Sequence, residues 1–264
     1  MILDPISAFF SQHQNLLWVA TVGIDLAMTL LLFRMFGKLG LYAAIVLAIM
    51  LSNIQGPKLT TVFGMDTSLG MIIYSGIYFA TDLLGERYGQ REANRAVLIG
   101  FSTSLILIVL MSISLMFAPT QQEGKREIAL AVHQALQQIF GFTPRFVLGS
   151  LFAYLISQTH DVWMFHLLKR WTQGRHLWLR NNLSTMVSQL IDTVIYSTVV
   201  WWALFDFKTA VQLAGAKYLF KVIIAMIDTP FIYWARGWNS GDRDWSDPAQ
   251  SVAAIPPGQT EVSN

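Results

Sequence analysis

Seven ionisable residues, Asp25, Asp82, Asp161, Asp192, Lys217, Lys221 and Asp228, interrupt runs of sequence that are otherwise apolar and about twenty residues long. Placed at the centre of a bilayer, such a group costs about 2.5–3.5 kcal/mol on insertion scales, so it is found facing a cavity or a partner. Their neighbours fall on helical faces. Ser150, Tyr154, Gln158, Asp161 and Phe165 follow i, i+4, i+7 spacing, which makes one stripe down one side of a helix. Asn181, Ser184, Ser188, Asp192 and Tyr196 make a second stripe, flanked by Gln189, and Lys217, Lys221 and Asp228 a third. Ser75, Tyr78, Phe79, Asp82 and Glu86 lie along a fourth segment.

At about 1.5 Å per residue, Asp192 lies about 14 Å from one end of its apolar run, Asp161 about 11 Å and Lys221 about 12 Å. None of the three reaches water from there. Lys217 stands nearer an edge, where its stem can carry the ammonium outward, and Asp82 lies near the end of its run. Glue between helices is the ordinary role of Ser and Thr in such stripes. For Asp161, Asp192 and Lys221, framed by Tyr154, Gln158 and Gln189, a binding pocket is the better reading. Tyrosines stack on flat heteroaromatic rings while amides and carboxylates read their edges. A carboxylate accepts two adjacent N–H donors, the pattern at a guanine-like edge.

The elements that hold these residues are membrane spans. Of the 264 residues, 54% are hydrophobic and 13% charged, against about 25% charged in ordinary soluble domains. A helix needs about 20 apolar residues to cross the bilayer core. Windows at about 14–35, 39–55, 67–85, 96–117, 146–168, 183–205 and 213–235 qualify, the second ending early in Ser52-Asn53-Ile54-Gln55-Gly56-Pro57. The fold class is therefore an all-α polytopic bundle of six or seven spans over residues 1–238, with 239–264 a disordered tail rich in Asp, Ser, Pro and Gly. With seven spans and the N-terminus outside, the cytoplasmic segments hold Arg34, Lys38, Arg87, Arg91, Arg95, Lys169, Arg170, Arg175, Arg180, Arg236 and Arg243. The external ones hold only Lys58, Lys125, Arg126, Arg145 and Lys208, as the positive-inside rule requires. Within the 118–144 connection, Ile128, Val132, Leu136, Ile139 and Phe140 predict an amphipathic helix on the membrane surface or capping the bundle.

Other function classes fit poorly. A net charge of +2 makes no nucleic-acid surface. There is no Cys for a disulfide, thiolate metal site or thiol nucleophile. No cofactor site is foreseen. Neither HExxH nor GxSxG occurs, so the chain does not read as an enzyme, although His160 beside Asp161 leaves proton relay in an intramembrane enzyme as a rival reading. His160 and His166, six apart, fall on different helix faces, which disfavours a shared metal. No P-loop is present, so any ATP coupling comes from a partner chain.

Several motifs, in order along residues 40–235, resemble the queuosine precursor transporter family, also called the vitamin uptake transporter family. They are Leu51-Ser52-Asn53, Ala80-Thr81-Asp82-Leu83-Leu84-Gly85-Glu86-Arg87-Tyr88-Gly89, and Phe140-Gly141-Phe142-Thr143-Pro144-Arg145. Ala153-Tyr154-Leu155-Ile156-Ser157-Gln158 follows, with Asp161, Phe165 and Lys169, then Leu179-Arg180-Asn181-Asn182-Leu183-Ser184, Gln189 and Asp192-Thr193, and finally Lys221 and Pro230. The resemblance implies uptake of 7-deazaguanine precursors, 7-cyano- or 7-aminomethyl-7-deazaguanine, across the bacterial inner membrane. It also implies a bundle like the substrate-binding component of energy-coupling-factor transporters, with a core of about six helices, and adds Asn53 to the substrate-binding set. A binding subunit that works with an ATPase partner stays open as the alternative.

Overall fold

The structure is a computed structural model that describes residues 3–141, 144–199, 202 and 205–238. The expected tail at 239–264 and Phe142 and Thr143 of one motif lie outside the described residues. The chain is an all-α membrane protein with one small hairpin among the described residues. Its elements are α1 (Leu3–Gln12), α2 (Gln14–Gln55), β1 (Leu59–Val62), β2 (Met65–Ser68), α3 (Gly70–Tyr88), α4 (Gln90–Met116), α5 (Arg126–Phe140), α6 (Pro144–Trp171), α7 (Leu177–Val199) and α8 (Phe207–Ala235). Three of them, α2, α4 and α8, are long and apolar enough to cross a membrane by length and composition.

α2 covers both of the first two windows and reverses between them. Gly37 sits at φ 57°, ψ −130°, outside helical space, a conformation glycine adopts at little cost. Three residues on, a Cβ at Gly40 would run into the backbone carbonyl of Leu32. In a continuous helix those residues would stand about 12 Å apart along the axis, so the chain has folded back on itself. The second leg then leads into the β1–β2 hairpin, an element that the hydropathy windows did not anticipate. Its two-residue turn, Phe63 (φ 49°) and Gly64 (φ 76°), joins antiparallel strands paired Val62 with Met65, the positive-φ turn that suits strand twist. The Phe63 amide donates to Asn15 Oδ1 at 2.7 Å, and its ring meets Trp18 edge-on at 5.9 Å. Trp18 in turn lies 5.4 Å from Phe220. The hairpin thereby closes one end of the bundle over α2 and α8.

α3 is the central helix. From Gly70 to Gly85 every residue except Tyr74 is buried, the polar Ser75, Thr81 and Asp82 included, because α2, α4, α6 and α8 pack around it. α7 lies between α6 and α8. α4 begins after Gly89, held at φ 88°, and turns Leu98, Ile106, Val109, Leu110 and Ile113 outward. Such a face suits lipid. The amphipathic helix foreseen in the 118–144 connection is α5, which buries none of its residues and leaves Ile128 71% exposed. The end opposite the hairpin gathers basic residues: Arg87 donates to the carbonyl of Arg236, Lys38 meets Glu92 at 3.4 Å, and Arg34 stands over the Trp238 ring.

Candidate functional site

At the hairpin end the helices leave a cavity that is open on one side, about 710 Å³ with the open solvent at its mouth included. Each surrounding helix contributes from its hairpin-side portion. α2 supplies Ser52 and Asn53, α3 supplies Met71 and Tyr74, α4 Ser104, α6 Ser150 and Tyr154, α7 Asp192 and Tyr196, and α8 Lys217. The lining mixes four aromatic or thioether groups with hydroxyls, an amide and one ion cluster.

That ion cluster centres on Asp192. Lys221 Nζ donates to its Oδ2 at 2.5 Å, Lys217 Nζ stands 3.9 Å from the same oxygen, and the Tyr74 hydroxyl donates to Oδ1 at 2.7 Å. Both ammonium groups also face aromatic rings: Lys217 is 3.6 Å from the centre of Tyr196, and Lys221 is 4.6 Å from that of Tyr74. Ring faces attract cations, more so where water is excluded. The cluster therefore holds two basic groups to one acidic group. Each oxygen of an ionised carboxylate has two acceptor positions, so Oδ1 retains one for a donor from the cavity.

Tyr154 is placed by a close helix contact. Its hydroxyl reaches the carbonyl of Val97 at 3.3 Å, above Gly100 on α4, where a Cβ would collide with it. Tyr74 lies edge-on to Tyr154 at 6.4 Å and to Tyr78 at 6.0 Å. The three tyrosines form one aromatic cluster, of which Tyr74 and Tyr154 line the cavity.

Of the sequence-predicted residues, Asn53, Tyr154 and Asp192 come together on the cavity, and Lys221 lies behind Asp192 as its ion partner. Gln158, Asp161 and Gln189 do not line it. They belong to a second, deeper polar layer, with Asp82, Thr185, Ser184, Ser188, Asn181 and Asp228, all buried. There Thr185 donates to Asp82 at 3.1 Å and Asn181 to Asp228 at 3.0 Å, while Thr81 reaches Gln158 at 3.4 Å. Lower still, Glu86 takes Arg180 at 2.7 Å and Lys169 at 2.9 Å, and Arg180 also donates to the carbonyls of Gly174 and Arg175. This charged plug closes the basic end.

Two features differ from the sequence reading. Lys217 is not an edge residue that snorkels: it is 7% exposed and faces the cavity, because Asp192 and Tyr196 offer its ammonium a site inside the bundle. Asp82 likewise is not interfacial but 2% exposed within the deep layer. Tyr74 was missed. It stands one turn before Tyr78 in the spacing that continues to Asp82 and Glu86, and extending that stripe backward would have found it. Asp25 is half-buried against α3, its carboxylate filling the space beside Gly76. No group of three or more His, Cys, Asp or Glu among the described residues could hold a metal ion.

Residues 68–235 match the family described as "Putative vitamin uptake transporter". The chain is 38% identical over 223 residues to a Bacillus subtilis (strain 168) protein named "Probable queuosine precursor transporter", an overlap of 84% of this chain and 94% of that one. It is 26% identical over 170 residues to the "Queuosine precursor transporter" of Escherichia coli (strain K12), covering 63% of this chain and 71% of the relative. A Haemophilus influenzae relative, again named "Probable queuosine precursor transporter", is 24% identical over 168 residues, 62% of this chain and 66% of that one. No solved structure matches the chain.

Proposed function

The chain belongs to the vitamin uptake transporter family, with relatives named as queuosine precursor transporters, and on that footing we propose that it carries 7-cyano- or 7-aminomethyl-7-deazaguanine inward across a bacterial inner membrane. The carrying observation is Asp192, a buried carboxylate presented to an aromatic-walled cavity. Its open acceptor position suits the N–H donors of a guanine-like edge, with Tyr74, Tyr154 and Tyr196 around the ring plane. Asn53 and the hydroxyls of Ser52, Ser104 and Ser150 complete the polar rim.

The proposed membrane arrangement has seven spans: the two legs of α2, then α3, α4, α6, α7 and α8, with α1 and α5 at the surface. The N-terminus and the hairpin are external, and the basic end, with the tail at 239–264, is cytoplasmic. The collection of Arg34, Lys38, Arg87, Arg180 and Arg236 at one end supports this orientation. A cavity below an external cap is also what a substrate-binding component of an energy-coupling-factor transporter would need. Gln158, Asp161, Gln189 and Lys221 then serve the substrate after it leaves the outer cavity or hold the residues that first receive it.

Replacing Asp192 by Asn tests the reading in cells unable to make 7-deazaguanines. Uptake of labelled 7-cyano-7-deazaguanine is expected to fall at least tenfold at unchanged abundance in the membrane. Unchanged uptake would overturn the assignment.

A further inference from the structure

The deep polar layer lies outside the cavity, and its acids have no counterion. Asp82 is 2% exposed, Asp161 0% and Asp228 2%. Among the described residues no ion pair reaches them. Lys217 and Lys221 are engaged with Asp192, and Lys169 and Arg180 with Glu86. The Asp161 carboxylate is faced by the Asp82 carboxyl and by the hydroxyls of Ser184, Thr185 and Ser188, none of them in full hydrogen-bond geometry, and the Gln158 amide nitrogen is also unpartnered. A carboxylate held in a dry bundle without a cation or a full set of donors is costly as an anion, and taking up a proton removes that cost.

We propose that Asp82 and Asp161, with Asp228 beside them, form a proton-exchange site that couples entry of the substrate to entry of a proton. The proposal rests on the transport reading above. It adds the driving force, and it assigns this work to residues other than those of the outer cavity.

The layer is placed for such a role. From the cavity floor the polar groups descend in steps of one helical turn. Tyr74 binds Asp192, and Tyr78 below it donates to Ser157 Oγ at 2.9 Å. Gln158 and Asp161 follow Ser157 on α6, while Asp82 follows Tyr78 on α3. One further turn reaches Glu86 and the charged plug at the basic end. A proton entering from the outer water binds a carboxylate oxygen of the pair and leaves toward Glu86 and the inner water. No bond of the substrate is made or broken.

The surroundings define what else could respond to pH. α3 presents Tyr78 and Glu86, and α6 presents His160, which meets Ser188 at 2.8 Å, and His166, which lies against Gly85 with its Nδ1 on the Val162 carbonyl. α7 presents Arg180 and Asp192, and α8 Lys221. From the remaining neighbours, Asp25 of α2 lies against Gly76, and Glu92 of α4 pairs with Lys38 and Arg95. Among the acids of the described residues, only Asp82, Asp161 and Asp228 combine full burial with lack of an ion partner.

Purified full-length protein in vesicles tests the proposal with labelled 7-cyano-7-deazaguanine and the membrane potential clamped. Two rates are read: exchange of label against unlabelled substrate, and net uptake driven by a pH gradient, acid outside. Wild type is expected to accumulate substrate up to about tenfold per pH unit, the limit for one proton per substrate, with acidification of the lumen. Asp82→Asn is expected to retain exchange while losing accumulation and lumen acidification. Asp161→Asn, read for accumulation only, provides a second variant should the first fail to fold. Wild-type exchange without response to the pH gradient would overturn the coupling and leave the transport reading standing. So would accumulation that follows a sodium gradient alone, or Asp82→Asn and Asp161→Asn that both accumulate like wild type. Absence of exchange in wild type would take down the transport reading and the coupling with it.

Discussion

A lone carboxylate inside a membrane bundle is expensive, and Asp192 is kept there by two lysines and a tyrosine hydroxyl. Breaking a buried pair by removing one partner typically costs about 3–5 kcal/mol, whereas removing both can be neutral. Lys221→Met is therefore expected to lower the unfolding midpoint in detergent, toward the small end of that range because Lys217 remains nearby. The double variant Lys221→Met with Asp192→Asn is expected to recover stability but not uptake. A double variant as unstable as the single one would show that Lys221 has some other essential partner. With two basic groups to one acid at this cluster, protonation of both lysines favours a neutral substrate over a cationic one. Uptake of the 7-cyano base should exceed that of the aminomethyl base, and Lys217→Gln should narrow the gap in a competition assay. At this scale the sequence revealed the stripes but not which of their residues meet. Asp192 was legible from its depth. Lys217 was not, because hydropathy places a lysine near the edge of a span at the water, and only the neighbouring helix shows the carboxylate and ring that hold it inside.

Helices bring these residues together through glycines at which two backbones or a backbone and a ring come close. Gly40 faces the carbonyl of Leu32, which is main chain and cannot swing aside. Gly40→Ala is expected to cost about 1–3 kcal/mol, the usual range for overpacking, seen as a lower thermal midpoint with the two legs of α2 pushed apart. At Gly100 the obstacle is the hydroxyl of Tyr154 and the tip of Ile49, both able to shift. Gly100→Ala should therefore fold normally but raise the KM for uptake by displacing a cavity wall. The helices and the hydropathy windows start at different places: α7 begins at Leu177 where the window began at 183, and α8 at Phe207 where the window began at 213. Arg180 and Asn181 depress hydropathy at the start of α7, although both are buried against partners. At α8 the start is fixed by capping, Asp206 accepting from the Thr209 amide at 3.1 Å, with those bonds holding its carboxyl below the usual range. The hairpin escaped because four-residue strands carry too little alternation to read, although Phe63-Gly64 marked its turn.

For the whole molecule, the two ends differ in kind. One has a cavity beneath a strand hairpin, and the other a plug of Glu86, Arg180 and Lys169 surrounded by basic residues. The chain contains no Cys, so single cysteines report the orientation cleanly. Thr61→Cys in the hairpin is expected to react with a membrane-impermeant maleimide on intact cells, and Gln173→Cys, between α6 and α7, only after permeabilisation. The reverse pattern would invert the proposed topology. Direct evidence on the central claim comes from vesicles containing only the purified protein and labelled 7-cyano-7-deazaguanine. The account predicts saturable entry of label, recovered chemically unchanged, that is absent from protein-free vesicles and lost with Asp192→Asn. Entry no faster than through the lipid alone, with the protein folded and correctly inserted, would contradict it.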